Sequence, residues 1–360
     1  MNETLGDLGE FEVIRRLMGV LPVATGSAPG VMPGTSGDVL GPSARAHLEI
    51  GAGDDAAIIR PRAGFELAVT TDTFVEGTHF RRDWIDAEGL GARLAEANLS
   101  DLAAMAAEPR WALVSFGVRS DHTTGDLVAI QRGIATALGR HGAVIAGGNL
   151  SAVRGEEWMT LTLLGEVRTG TAWTRAGARP GQWVAVTGGP GRAGAGVALA
   201  AREASRVDDP RWAELITAWR APRARVELAS ALAPTGSVTA AIDLSDGLSS
   251  DLARLCAASG VGARLVGEAW PADPALEAAA HELGVTIESL RFGASDDYEL
   301  VLAVDPERHQ ECLRVASELQ VPLAFIGVLT EVPGVFLESS SGAIEPIPAR
   351  GYDHFRFTGP

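Results

Sequence analysis

Cysteine is scarce in this chain: Cys256 and Cys312 are the only two among 360 residues, and their spacing is not a metal-binding one. No disulfide framework can be built from them, and a reducing compartment, the cytoplasm, is expected. Long apolar runs are missing as well. No uninterrupted stretch approaches the roughly 20 residues of a membrane span. Met1 to Arg16 is acidic and lacks the basic-then-apolar pattern of a secretion signal. Basic charge is in deficit, with Lys+Arg at 30 against Asp+Glu at 46 and a formal net charge of -16. That argues against a nucleic-acid partner, because such binders carry a basic patch. It does not exclude an anionic substrate, since bound cations reverse the field inside a site. Also absent are the Walker P-loop pattern, the protein-kinase signatures and a nucleophile elbow.

What is present is a globular composition, 46% hydrophobic and 21% charged, in a chain long enough for two domains. Periodicity predicts a helix over Phe11 to Leu21, with Ile14, Leu17 and Met18 on one face. Residues 22 to 47, rich in Gly, Pro, Ser and Ala, read as a surface loop or insertion. Strands are predicted at Glu66 to Thr70, Trp111 to Val118 and Trp158 to Val167, and helices at Leu90 to Ala107 and Leu127 to His141. The Gly-rich stretch Arg168 to Gly181 marks the boundary between a domain of residues 1–167 and a domain of residues 168–360. In the second half, strands are expected at Trp183 to Thr187, Val238 to Ile242, Tyr298 to Val304 and Leu323 to Val328. Helices are expected from Ala193, over Arg211 to Arg220, Arg223 to Leu232, Leu248 to Ser259 and Arg308 to Leu319. The class is therefore α/β, or mixed α+β.

Four short acidic motifs stand out: Gly53-Asp54-Asp55-Ala56, Thr71-Asp72-Thr73, Asn98-Leu99-Ser100-Asp101 and Asp243-Leu244-Ser245-Asp246-Gly247. Hard cations such as Mg²⁺ take oxygen ligands and usually a phosphate as well, so the set points to a multi-metal polyphosphate site. Each motif alone reads equally as a helix cap or a turn. Asn98–Asp101 is expected to interrupt its helix. Asp251, a helical turn beyond Asp246, reads as a solvated side chain. Gly147-Gly148-Asn149 follows a strand-like run, where glycine permits a ligand's close approach or simply a tight turn. His79 follows the Asp72 strand and is either a site residue or a structural histidine. Gly189-Pro-Gly191-Arg-Ala-Gly194 matches G-x-G-x-x-G. However, the second strand that would carry a ribose-binding acid is missing, because Val207-Asp208-Asp209 reads as a loop.

Taken together, these residues resemble the thiamine-monophosphate kinase family, in the superfamily of aminoimidazole-ribonucleotide synthetase and selenophosphate synthetase. The motifs run in order from Gly53 to Phe355. They include Thr71-Asp-Thr-Phe-Val-Glu-Gly-Thr-His-Phe80, Trp173-Thr-Arg175, Ala241-Ile-Asp-Leu-Ser-Asp-Gly-Leu248, Asp296-Asp-Tyr-Glu-Leu300 and Gly351-Tyr-Asp-His-Phe355. Seven such motifs in order outweigh the bland reading of each.

The resemblance implies a two-domain aminoimidazole-ribonucleotide synthetase-like fold. Its N-terminal α/β domain dimerises through its sheet, its second domain is also α/β, and ATP lies in the cleft between them. It implies ATP-dependent phosphorylation of thiamine monophosphate to thiamine diphosphate, with several Mg²⁺ ions and by direct in-line transfer. On that analogy Asp55, Thr70, Thr71, Asp72, Asp101, Asn149, Asp243 and Asp246 hold metal. Gly148, Asn149, Arg175 and Ser245 meet ATP, and His79, Asp296 and Tyr352 meet thiamine monophosphate. Asp243, Asp246 and Arg175 carry the transfer.

Two departures from the family pattern matter. Asn149 replaces the Asp of a Gly-Gly-Asp, so an oxygen remains but a charge is lost. Ala294-Ser295 replaces a Gly-Gly, tightening that loop. The alternatives are a related synthetase with a different acceptor, or a weakly active or non-catalytic nucleotide-binding homologue.

Overall fold

The computed structural model describes residues 3–21, 42–52 and 54–355. Gly53, most of the expected loop (22–41) and the last five residues lie outside them. The chain divides into two compact units, one of residues up to Leu102 plus Ala107–Gly170, the other of Thr171 onward plus Ala103–Ala106.

In the first unit, Leu48–Ile50 (β1) and Ile58–Ile59 (β2) form a small antiparallel pair. The main sheet comprises Phe65–Val75 (β3), Glu108–Val118 (β4), Val144–Ala152 (β5) and Trp158–Arg168 (β6), in the order β3-β6-β4-β5. Only β4 and β5 run parallel, because the helix Thr124–Gly139 crosses back between them. That helix and Ala87–Ala104 supply the buried apolar layer, including Leu90, Leu94, Leu99, Ile130 and Ile134.

Four sequence expectations change in this unit. The helix expected at Phe11 to Leu21 is Glu10–Gly19, and it buries Val13 and Leu17 while Ile14 stays exposed. A short helix, Pro42–Arg45, occupies part of the stretch read as a loop. Strand β3 runs to Val75, five residues past Thr70, because the β-branched Thr70, Thr71, Thr73 and Val75 and the aromatic Phe74 suit a pleated edge and outweigh Asp72. The helix Ala87–Ala104 does not break at Asn98–Asp101: Asn98 Nδ2 donates to the Leu94 carbonyl one turn back, so the polar residues are absorbed within the helix.

The second unit is built on a seven-stranded sheet of order β13-β12-β9-β11-β7-β10-β8. Its strands are Trp183–Thr187 (β7), Val238–Asp243 (β8), Gly262–Val266 (β9), Leu300–Val304 (β10), Leu323–Thr330 (β11), Gly334–Glu338 (β12) and Ile344–Pro346 (β13). All pairs are antiparallel except β12 with β9. The helix Leu248–Ser259 lays Leu248, Leu252, Leu255 and Cys256 on this sheet, against Ile242, Leu265 and Ile326. Burying each leucine contributes about 2 kcal/mol. Two expected helices are shorter: Ala213–Arg220 follows a 3₁₀ turn, and Val226–Leu232 starts only after Pro222. Among the described residues no helix is long and apolar enough to cross a membrane.

Candidate active site

The candidate residues of the first unit do not gather at one point. Along β3 the side chains alternate between faces, and that alternation separates Thr70 and Asp72 from Thr71 and Thr73. Thr70 Oγ1 donates to the Asp101 carboxylate on the helix Ala87–Ala104, so Thr70, Asp72 and Asp101 share the helix-covered face. Asp72 is pushed up to about 7, first by burial and then by the neighbouring Asp101 charge. Its carboxylate makes no hydrogen bond among the described residues. Thr71 and Thr73 instead pair with Thr162 and Thr160 across β6 at 3.0 and 2.8 Å, on the opposite face. The Thr71 hydroxyl therefore stands on the opposite face from Asp72.

His79 lies beside the Asp72 group. Its ring stacks on Phe74 at 5.7 Å, and its Nδ1 accepts from the Val75 N–H at 3.1 Å. The Arg93 guanidinium sits 4.9 Å over the same Phe74 ring and donates to the His79 carbonyl.

Gly148 and Asn149 are not in a turn but inside β5, at the far edge of the sheet from β3. Three strand spacings, roughly 14 Å, separate them from Asp72. A Cβ at Gly148 would fall 1.9 Å from the Val114 carbonyl oxygen, so strand pairing alone demands glycine there. Asn149 stands in the row Thr73, Thr160, Ser115, Asn149, on the face away from Asp72, and donates to Ser151 Oγ at 3.1 Å. The structure thus does not bring Asn149 to the Asp72–Asp101 pair. Asp54 and Asp55 are exposed just before β2, with Asp54 Oδ1 accepting the Asp55 N–H at 2.8 Å.

In the second unit the candidates do converge. β8 ends at Asp243, which is 3% exposed. The chain then turns through Ser245-Asp246-Gly247 into the helix Leu248–Ser259. Asp251 is buried rather than solvated. Its Oδ2 accepts the N–H groups of Ser245, Asp246 and Gly247 at 3.2, 3.1 and 3.0 Å. Burial raises Asp251 to about 6 against the pull of those bonds. Arg254 bridges the Asp246 and Asp251 carboxylates, reaching Asp251 Oδ1 at 2.9 Å. Asp251 and Arg254 had no place in the expected site. The one sequence signal for Asp251 was an acid in the first turn of a helix.

The Asp246 carbonyl accepts the N–H groups of Tyr352 at 3.0 Å and Ser295 at 3.4 Å. Asp296 and Tyr352 are thereby held on the loop that carries Ser245 and Asp246. Burial raises the Tyr352 hydroxyl, and the charges of Asp246 and Asp296 raise it further. Arg175 is exposed on the segment beside β8, where Ala241 N–H donates to the Thr174 carbonyl at 3.0 Å. The sequence contains no lysine, so every fixed cation the chain can offer a phosphate is a guanidinium.

The Gly189–Gly194 run is filled from within. Asp297 accepts the N–H groups of Gly191 and Ala193 at 2.7 and 2.9 Å, at the start of the helix Arg192–Arg202. Ser295 Oγ accepts the N–H of Gly194 at 2.9 Å. Gly191 has φ +89°, and a Cβ there would meet the Leu290 carbonyl oxygen at 2.4 Å. These glycines serve close packing, and the helix N-terminus that could bind a pyrophosphate already holds a carboxylate. Residues 204–208 and 210–212 are 3₁₀ turns, so the second strand of a dinucleotide fold is indeed missing.

Metal fit can be judged from these donors. Asp72 with Asp101, and Asp243 with Asp246, offer hard oxygen atoms of the kind Mg²⁺ takes, and the raised Asp72 marks a charge that a cation would relieve. Among the described residues no group of three or more His, Cys, Asp or Glu forms a ready metal cluster. Each pair is therefore short of a full coordination shell, which phosphate oxygens and water would complete.

The AIR synthase related protein N-terminal domain matches residues 53–167, and the corresponding C-terminal domain matches residues 179–339. Thiamine-monophosphate kinase of Escherichia coli (strain K12) is 36% identical over 323 residues, covering 87% of this chain and 94% of the relative. That of Mycobacterium tuberculosis (strain H37Rv) is 33% identical, covering 83% and 81%. The crystal structure of thiamine-monophosphate kinase from Stenotrophomonas maltophilia K279a superposes with a TM-score of 0.74 at 28% identity, covering 82% of this chain and 92% of that one. AaThiL complexed with AMPPCP and TMP gives 0.72 at 27%, covering 82% and 89%. The hydrogenase maturation protein HypE, at 0.72 and 18% identity, shares the fold alone. With both domains matched in order and relatives above 30% identity across most of its length, this chain belongs to the thiamine-monophosphate kinase family.

Proposed function

We propose that this protein transfers the terminal phosphoryl group of ATP to the phosphate of thiamine monophosphate, giving thiamine diphosphate and ADP. The observation that carries the reading is the Asp246 hub. One peptide carbonyl holds both Tyr352 and the Ser295–Asp296 turn, next to Asp243 and Ser245. The family match supports the reaction.

The acceptor is already a phosphate anion, so no side chain need generate a nucleophile. An acceptor oxygen attacks the terminal phosphorus, the bond to the bridging oxygen breaks, and ADP leaves with that electron pair. No phosphoenzyme is required. The difficulty is to align two polyanions. Mg²⁺, when bound, supplies the charge neutralisation that lets them approach. In the first unit Asp72 and Asp101 are the residues that would hold such an ion, with Thr70 fixing the Asp101 carboxylate, and in the second unit Asp243 and Asp246. Asp55 is exposed and can add an oxygen. Ser245 and the exposed Arg175 would contact ATP, Arg175 as a fixed charge on phosphate. Tyr352 offers an aromatic face to the cationic thiazolium ring, and Asp296 an opposite charge. His79 is assigned to the same substrate.

We also infer a homodimer, supported by Leu67, Val69 and Leu113, which are exposed on the sheet of the first unit. A cytoplasmic setting is supported by Cys256 and Cys312, both free and buried.

The test is direct. Purified protein with Mg²⁺, ATP and thiamine monophosphate should form thiamine diphosphate and ADP in equal amounts. Folded protein that gives no product at millimolar Mg²⁺ would overturn the reading.

A further inference from the structure

Buried carboxylates on helices are usually neutralised by one partner, but Asp251 organises a loop. Its side chain is 1% exposed. One oxygen takes three consecutive main-chain N–H groups and the other takes Arg254. The helix it belongs to has Gly247 at its N-cap, with no side-chain cap bond, and Asp251 reaches back from the first turn to the N–H groups that precede the helix. Three successive amides converging on one anion fix the peptide planes of Ser245, Asp246 and Gly247.

Those peptides carry consequences in two directions. Forward along the loop are the Ser245 and Asp246 side chains. On the reverse side is the Asp246 carbonyl, which accepts from Ser295 and Tyr352. The Arg350 N–H, two residues before Tyr352, donates to Ser249 Oγ at 3.0 Å, tying the same C-terminal segment to the same helix.

We propose that Asp251 is a positioning residue that sets the nucleotide-side loop and the thiamine-phosphate-side residues Asp296 and Tyr352 through one peptide, so that its loss weakens both substrates together. The inference rests on the kinase reading above. A carboxylate is needed rather than an amide. Asparagine has a single acceptor oxygen, and its NH₂ would face either the three N–H donors or the Arg254 guanidinium.

The experiment compares Asp251→Asn, Asp251→Glu and Arg254→Gln with Leu255→Ala, a buried apolar change in the core cluster under the same helix. Steady-state KM values for ATP and thiamine monophosphate are measured. Calorimetry of thiamine monophosphate binding, with a non-hydrolysable ATP analogue and Mg²⁺ present, gives a readout independent of turnover. Asp251→Asn should raise both KM values by about fivefold or more and weaken the calorimetric affinity in step, because small misplacements of binding groups are costly. Asp251→Glu should recover part of the loss. Arg254→Gln should have a smaller effect, since the three amide bonds remain. Leu255→Ala should lower the melting temperature and leave both KM values unchanged. The proposal is overturned if Asp251→Asn keeps wild-type KM values and affinity, if only one substrate is affected, or if Leu255→Ala raises both KM values equally. A wild-type protein that makes no thiamine diphosphate would instead sink the kinase reading, and the calorimetric arm would still decide on Asp251.

Discussion

Asp72 of the first unit and Asp251 of the second are held in different ways. In the first, half-buried Asp72 is pushed up to about 7, first by desolvation and then by the neighbouring Asp101 charge. In the second, carboxylates are matched from within: Asp246 and Asp251 by Arg254, Asp251 also by three amides, Asp297 by two amides of a helix start. The first arrangement stores a repulsion that an incoming cation relieves. The second is already a finished scaffold, and its task is to hold side chains in place.

Stripping divalent metal with a chelator should have the largest effect on the comparison, removing turnover almost entirely while leaving the second unit's hydrogen-bonded loops folded. Amide exchange at Ser245–Gly247 that stays protected would sustain the contrast; collapse of that protection would break it. Asp72→Asn comes next. It should lower turnover by about a hundredfold or more, yet raise the metal-free melting temperature by at least about 2 °C, because a buried repulsion is gone. A lower melting temperature would show that Asp72 is stabilising and that the first region is not strained. Tyr352→Ala should raise the KM for thiamine monophosphate by about tenfold, through loss of one aromatic face, and leave the KM for ATP within about twofold. The smallest effect is expected for Asn149→Asp. Its side chain stands on the other face of the sheet from Asp72, so the Mg²⁺ requirement should move by less than about twofold. A large gain would mean that Asn149 belongs to the metal group after all.

Much of this contrast was legible in part. The order of the motifs located Asp72, Asp101, Asp243 and Asp246, because short runs of Asp, Ser and Thr beside apolar segments survive any folding detail. Their faces were harder. Motif order placed Thr71-Asp72-Thr73 with a strand but not the alternation of faces that sends Thr71 to Thr162 and Thr70 to Asp101. Asn98–Asp101 looked like a break because its residues compete for local hydrogen bonds. Burial on all sides kept the helix continuous instead, with Asn98 satisfied one turn back. Gly147–Asn149 looked like a turn because glycine signals turns, whereas here strand pairing with β4 requires it.

By itself the sequence determined the family and its two-domain architecture and named the candidate residues, since oxygen donors, one class of cation and an aromatic face are properties of residue types and their order. Only the tertiary structure decided which of those residues meet. Asp251 meets Ser245–Gly247 because a helix start folds back on its own loop, and Asp297 meets Gly191 and Ala193 across more than a hundred residues of chain. Such partnerships depend on where buried backbone donors end up, and a buried donor must be satisfied by whichever acceptor the packing brings to it.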